Sequence, residues 1–288
     1  MKVIILGSTG MIGSAVLFTL SKNKNLNVCG CTSRKHLPEK FKKNIDVAFL
    51  KGFNLENYSS LETNIKNNKP NIVINCAGVV KQSSQASDYL KMINLNSLIP
   101  HQLNALSQKY KFKIIQVSTD CVFSGKEGNY KETDIPDPID IYGKSKSLGE
   151  LINNNHLTLR CSLVGFEVFA KNGLLEWFLD QKDECKGFKN AIFSGLSTFE
   201  FAKVVEEIIL NHSDLKGLFH ISSTPISKYE FLKKISFQFS KKINIVPDIN
   251  FKINRSLSSS LFSKKTGIKI SDWDVMIKDL YSFRCFYV

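Results

Sequence analysis

Gly7-Ser8-Thr9-Gly10-Met11-Ile12-Gly13 stands between an apolar run at residues 2–6 and a stretch at residues 11–20 whose apolar side chains recur at helical spacing. The order is strand, tight loop, helix. Each glycine of this G-x-x-G-x-x-G spacing has a use. Gly7 permits the tight turn, Gly10 lets backbone approach a pyrophosphate, and Gly13 allows the helix to pack closely on the strand. The free N–H groups and positive dipole end of the following helix suit phosphates. Loops use glycine for many reasons, so the triplet alone says little. Its place at the first strand-to-helix junction is what predicts a dinucleotide here.

The alternation continues along the chain. Strand-like runs lie at 26–31, 47–50, 72–76, 113–117 and 157–161, with helical patterns at 57–66, 84–110 and 139–153. A bend or break is expected near Pro100, and a loop rich in Gly, Asp and Pro fills 124–138. Strands separated by helices imply a parallel sheet with helical crossovers, so the fold class is α/β. The expected architecture is a Rossmann-type doubly wound sheet of about six strands. Beyond Gly165 the pattern is less regular: helix-like pieces at 174–181, 198–211, 228–240 and 272–281 alternate with short strands at 191–193 and 218–221. Residues 1–165 are therefore expected to form the cofactor domain, with 191–222 packing back onto it. Residues 166–190 and 223–288 would form a smaller C-terminal substrate lobe.

The totals narrow the setting. At 288 residues and 43% hydrophobic, the chain can bury a substantial core. The formal charge of +13 favours anionic partners. The lysines are spread from Lys2 to Lys278, without a basic stripe, helix-turn-helix or zinc pattern, so nucleic acid is not an expected partner. Seven cysteines with no C-x-x-C pair point to a reducing compartment without structural zinc. The glycines at 7, 10 and 13 interrupt the apolar amino end too early for a secretory signal, and no other stretch has the length to span a bilayer. A soluble, cytoplasmic protein without membrane insertion is expected.

Cofactor choice is read at the end of the second strand, where an acidic residue binds ribose hydroxyls and a basic one accepts a 2′-phosphate. Here stands Cys31-Thr32-Ser33-Arg34-Lys35-His36. No carboxylate is present, Ser33 can hydrogen-bond a phosphate, and Arg34 can clamp it, which favours NADPH over NADH. The plainer alternative is that Arg34 and Lys35 are solvated loop charges. Tyr142-Gly143-Lys144-Ser145-Lys146 puts a phenol and an ammonium on one helical face, where the cation is expected to lower the phenol pKa. A Tyr-x-x-x-Lys spacing also arises by chance as a surface pair. It gains meaning from Val117-Ser118-Thr119-Asp120 at the end of a buried strand, where open α/β sheets place their ligands. The Thr119 hydroxyl there can hold a carbonyl oxygen toward Tyr142. Asn75-Cys76-Ala77-Gly78 ends another strand with small residues that let backbone lie against a cofactor.

These residues resemble an extended short-chain dehydrogenase/reductase, and more narrowly the dTDP-4-dehydrorhamnose reductase-like sugar-nucleotide reductases. The segments 117–125 and 140–150 are similar to that group's Ser-Thr-Asp-x-Val-Phe and Tyr-Gly-x-x-Lys segments. The resemblance implies that Thr119 orients a keto oxygen, Tyr142 supplies a proton, and Lys146 tunes Tyr142 and binds nicotinamide ribose. It further implies that Gly7, Ser8, Thr9, Gly10, Met11 and Ile12 cradle the NADP pyrophosphate and that Cys76, Ala77 and Gly78 line the cofactor. Asn54 and Leu55 would lie near adenine, although the family often has an acidic residue where Asn54 stands, and Asn94 would complete a proton relay. The implied substrate is a nucleotide-diphosphate keto-sugar of surface polysaccharide or deoxysugar biosynthesis.

Sugar-nucleotide dehydratases resemble this fold but carry a glutamate after the Thr-Asp pair. Here Cys121 follows Asp120, which argues against 4,6-dehydration. GDP-fucose synthase, which also epimerises, is similar in carrying a cysteine at this place. Cys121 is thus either a small buried side chain or a base for epimerisation. A non-catalytic NADP-binding subunit, as in the methionine adenosyltransferase regulatory subunit, is a third reading, against which Thr119, Tyr142 and Lys146 count. The lobe offers Lys171, Lys189 and Arg255 for a diphosphate and the aromatic segment 173–178 for a nucleotide, without a code that selects among them. Oligomeric state is open, with a homodimer among the options.

Overall fold

The computed structural model describes residues 1–45, 47–81, 86–152, 155–169 and 171–287. Its strands are β1 (Lys2–Leu6), β2 (Asn27–Thr32), β3 (Ala48–Lys51), β4 (Ile72–Asn75), β5 (Lys113–Thr119), β6 (Leu157–Cys161), β7 (Leu163–Val164), β8 (Glu184–Phe193), β9 (Leu196–Ser197), β10 (Gly217–His220), β11 (Ile226–Ser227) and β12 (Asn244–Asn254). The helices are α1 (Met11–Ser21), α2 (Glu39–Asn44), α3 (Tyr58–Asn68), α4 (Tyr89–Ile93), α5 (Ile99–Tyr110), α6 (Ile141–Leu148), α7 (Leu174–Asp180), α8 (Thr198–Asn211), α9 (Lys228–Gln238), α10 (Ser260–Thr266) and α11 (Trp273–Phe283).

Seven strands form one sheet in the order β10-β6-β5-β4-β1-β2-β3. All its pairings are parallel, and the order reverses between β1 and β4 as in a Rossmann-type sheet. Their apolar runs are buried on both faces: β4 is wholly buried and β1 nearly so, as parallel strands covered by helices require. The seventh strand, β10, extends the sheet beyond the six expected. It does so by pairing with β6, where Leu218 and Phe219 stand opposite Thr158 and Leu159.

A second sheet, β11-β8-β12, holds residues 191–193 as the end of the longer strand β8. Strand β12 has no clear signature in the sequence because Pro247, Asp248 and Asn250 break its alternation. Its edge position explains the tolerance, since the missing N–H of Pro247 is not needed on the open side. The helix expected over 84–110 begins at Tyr89 within the described residues, and Ser84 lies outside them. Pro100 does not break it. A π-helical turn at Asn94–Leu98 leads into α5 with Pro100 in its first turn, where a missing N–H costs little. The helix expected to 153 stops at Leu148, with Gly149 as C-cap, and Asn153 lies outside the described residues. A Cβ on Gly149 would stand 1.9 Å from the Asn96 carbonyl oxygen, so this contact requires glycine.

Polar side chains brace the sheet beneath the strand ends. Arg160 on β6 grips Glu150 through Nε to Oε1 (2.8 Å) and Nη2 to Oε2 (2.7 Å), with the two side chains only 3% and 4% exposed. Ser118 donates its hydroxyl to the same Glu150 Oε1 at 2.6 Å. The brace thereby fixes the end of β5 against β6 and the turn after α6. Removing one member strands a buried charge. Glu150→Ala should lower the unfolding free energy by about 3 kcal/mol, read by urea denaturation; a loss under about 1 kcal/mol, the size of an exposed pair, would contradict the brace.

Candidate active site

The turn between β1 and α1 approaches β4 so closely that side chains are excluded. Gly7 has φ +69°, and a Cβ there would meet Ala77 backbone at 2.9 Å. A Cβ on Gly13 would stand 2.2 Å from the Gly7 carbonyl oxygen. Helix α1 starts with Gly10 as N-cap and no side-chain cap, which leaves its first N–H groups to a ligand. Ser8 faces the other way: its side chain is buried and its Oγ donates to the Cys31 carbonyl at 2.9 Å, tying the turn to β2.

A cleft of about 970 Å³ runs from this turn across the ends of β2, β4 and β5 toward the second sheet. Of the residues singled out in the sequence, Thr9, Gly10, Met11, Ile12, Ser33, Arg34, Cys76, Gly78, Thr119 and Tyr142 line it. Gly7, Ser8, Ala77 and Lys146 are not among its lining residues: the first three belong to the turn and the strand end just described, and Lys146 is buried on α6. Asn54 and Leu55 do not line it: Asn54 accepts from the Glu56 amide (3.0 Å) in a local turn, and Leu55 packs on the core cluster beneath β2 and β4. The Arg34 guanidinium rests over the Phe169 ring, 4.6 Å from its centroid, at the β2 end of the cleft.

Helix α6 carries Tyr142 and Lys146 into place. Asp140 caps it by accepting from the Gly143 amide at 2.7 Å, and Gly143 sits against Cys121, whose carbonyl oxygen would be 2.2 Å from an added Cβ. The first turn of α6 is thus pressed onto the segment that follows β5. Burial, first of all, pushes the Tyr142 phenol above its ordinary range; Cys121, Asp120 and Cys161 add to this, and a hydrogen bond with Thr119 opposes it. The sequence suggested the reverse, a phenol brought down by Lys146. The difference has a physical reason: the Lys146 ammonium is itself buried and donates to the Val117 carbonyl oxygen at 2.6 Å. Burial pulls Lys146 down, and Glu150 opposes this most.

Thr119 Oγ1 donates to Asp120 Oδ1 (3.2 Å) and accepts from the Cys121 amide (3.2 Å). Burial raises the Asp120 pKa despite Lys228 and Arg255 nearby. Cys121 also lines the cleft; Arg255 Nη1 approaches its Sγ at 3.4 Å and Lys81 Nζ at 3.9 Å. Burial, then Asp120, nevertheless pushes the Cys121 thiol up to about 11.

Asn94 does not face this cluster; its Nδ2 donates to Glu56 Oε2 at 3.1 Å on an exposed edge. The buried asparagine is Asn96, which accepts from the Val79 amide (2.9 Å) and donates to the Val79 carbonyl (2.9 Å) and to Ser145 Oγ (3.1 Å). It ties the loop after β4 to α6. Only the π-helical turn turns it inward, and a sequence pattern carries no sign of that turn. Lys81, Lys228 and Arg255 also reach the cleft, from parts of the chain remote in sequence. Of the three cations considered for a diphosphate, Arg255 lines the cleft, whereas Lys189 lies over the Tyr229 ring.

The profile of the family described as RmlD substrate binding domain matches residues 1–282. A protein named dTDP-4-dehydrorhamnose reductase from Aggregatibacter actinomycetemcomitans is 27% identical over 246 residues, covering 75% of this chain and 82% of that one. Methionine adenosyltransferase 2 subunit beta from Danio rerio is 28% identical over 258 residues, covering 83% and 74%. Among solved structures, a dTDP-4-dehydrorhamnose reductase from Bacillus anthracis, in complex with NADP, superposes with a TM-score of 0.81 over 98% of both chains at 21% identity, a likeness of fold. With a sheet of this order and a match along almost its whole length, the chain belongs to the RmlD substrate binding domain family.

Proposed function

We propose that the protein is an NADPH-dependent reductase of a nucleotide-linked 4-keto-sugar, working in surface polysaccharide or deoxysugar biosynthesis. The observation that carries this reading is the convergence of the half-buried Tyr142 phenol and the Thr119 hydroxyl on a cleft whose other end is a glycine cradle at a helix N-terminus. The curated relative named dTDP-4-dehydrorhamnose reductase supports the substrate class. In this reading residues 1–165 hold the cofactor, and residues 166–190 with 223–288 form the substrate lobe.

The cleft suits NADPH. Thr9 to Ile12 would take the pyrophosphate on α1 amides, Cys76 and Gly78 would lie along the cofactor, and Ser33 with Arg34 would hold the 2′-phosphate. NADPH bound there supplies the hydride for the keto carbon. Thr119 turns its hydroxyl from Asp120 to the keto oxygen, and Tyr142 donates its proton to the alkoxide that develops. A phenol that keeps its proton at neutral pH is armed for that role. The Lys146 ammonium, held by the Val117 carbonyl in this structure, would have to turn from it to steady the phenolate left behind and to hold the nicotinamide ribose. The seven unpaired cysteines suit a reducing, cytoplasmic setting, and among the described residues no helix is long and apolar enough to cross a membrane. A homodimer fits the exposed Leu90, Leu98, Leu148 and Ile152, all near the α4 to α6 face.

A binding role without turnover is the second reading, favoured by the match to methionine adenosyltransferase subunit beta. Tyr142→Phe separates the two. It should lower kcat for NADPH oxidation with dTDP-4-keto-6-deoxy-sugars by at least ~10²-fold, whereas tight NADPH binding with no turnover of dTDP-, UDP-, GDP- or CDP-keto-sugars would favour the binding role. Arg34→Ala should raise KM for NADPH by at least ~10-fold and leave KM for NADH nearly unchanged; equal effects on both would remove Arg34 from the phosphate. Epimerisation by a Cys121 thiolate is disfavoured by its raised pKa. Iodoacetamide at pH 7.5, followed by peptide mass spectrometry, should label exposed Cys285 well before Cys121, and comparable rates would return the thiolate to the reaction.

A further inference from the structure

The segment that leaves the sheet at Val164 and enters α7 at Leu174 borders the cleft, which Glu167, Phe169, Asn172 and Gly173 line from it. Glu167 folds the segment back on itself by accepting from the Asn172 amide at 3.3 Å. It then touches the cofactor side of the cleft at two places. Gly173 sits by the first turn of α1, where an added Cβ would stand 3.7 Å from Met11 Sδ. The Phe169 ring lies under the Arg34 guanidinium at the end of β2, with 4.6 Å between them. Hydrogen bonds join the same two places from the other side. Thr9 Oγ1 meets Thr32 Oγ1 at 2.8 Å, and Thr32 Oγ1 accepts from the Arg34 amide at 3.1 Å. Thr9, Thr32, Arg34, Phe169, Gly173 and Met11 thus form a closed ring of contacts, and all but Thr32 line the cleft. Its weakest link is the stacked pair, since Arg34 is exposed and Phe169 is 41% exposed.

We propose that Phe169 is a positioning residue for the cofactor: its ring holds the Arg34 guanidinium across the groove, so that the pair closes over the adenosine half of NADPH, favours the 2′-phosphate and slows release. The proposal deepens the NADPH reading of the cleft and rests on it. An exposed arginine samples many rotamers, and stacking on a ring restricts them. The stack uses the face of the guanidinium. Its in-plane N–H donors, which are the groups that grip a phosphate, stay free. Among the described residues no carboxylate pairs with them. A 2′-phosphate bound there would tie the cofactor to the outer link of the ring, while NADH, lacking it, would leave that link unchanged. Phe169 touches no phosphate itself and acts through Arg34.

The test is equilibrium titration and stopped-flow displacement of NADPH and NADH, followed by nicotinamide fluorescence, in wild type, Phe169→Ala, Phe169→Leu and Phe169→Tyr. Phe169→Ala and Phe169→Leu should raise both Kd and the release rate of NADPH by at least ~5-fold and change those of NADH by less than ~2-fold. Phe169→Tyr, which keeps the ring face, should stay near wild type. In an Arg34→Ala background Phe169→Ala should add less than ~2-fold, because its partner is gone. Unchanged NADPH release in Phe169→Ala, or weakening of both cofactors alike that persists without Arg34, overturns the role of Phe169. If wild type prefers NADPH and Phe169→Ala keeps that preference, only this proposal fails; if wild type binds NADH as tightly as NADPH, the NADPH reading fails with it. Because binding and release need no turnover, the result holds even in a protein that reduces no keto-sugar.

Discussion

Desolvation of the half-buried Tyr142 and the buried Lys146 at the end of a parallel sheet sets the chemistry available to this protein. Desolvation holds the proton on the phenol against the pull of Thr119, while the ammonium is steadied by the Val117 carbonyl and the field of Glu150. The sheet makes the site possible because β5 and β6 are covered on both faces and their ends are braced by the Arg160 pair with Glu150. Ser118, bound to that brace, is the immediate neighbour of Thr119. A structural network therefore fixes the backbone from which the Thr119 hydroxyl is presented.

At the other end of the cleft the constraint is steric. Gly7 and Gly13 let three backbone segments meet where any Cβ would collide, and this brings the α1 amides to the cleft floor. Cofactor and keto-sugar would then share one continuous groove. The second sheet closes it: Phe188 on β8, Phe251 and Ile253 on β12 and Arg255 just after β12 line its far side. The substrate side owes its character to residues distant in the chain from the Tyr-Lys pair.

Much of this was legible in the sequence. The glycine spacing, the alternation of strand and helix, and the company of Thr119 with Tyr142 pointed to the sheet and to the cleft. What stayed hidden depends on packing. The direction of the Tyr142 pKa follows from burial, which the spacing of Tyr142 and Lys146 cannot report. Ser8 has the composition of a phosphate ligand, yet its hydroxyl is spent on the Cys31 carbonyl. Asn96 rather than Asn94 faces inward because a π-helical turn rotates the helix. Strand β12 reads as a loop because an edge tolerates Pro247, and with it the environment of Arg255 escapes notice.

The central claim is that this cleft delivers a hydride to a sugar carbonyl while Tyr142 gives the proton. Isotope transfer tests it most directly: the purified protein, NADPH deuterated at nicotinamide C4 and a dTDP-4-keto-6-deoxy-sugar, with the product read by proton NMR. The account predicts deuterium at the new carbinol carbon of the sugar, from one of the two C4 epimers of the labelled cofactor and not from the other. A reduced sugar without deuterium from either epimer, or recovery of the keto-sugar unchanged across the panel of nucleotides, would contradict it.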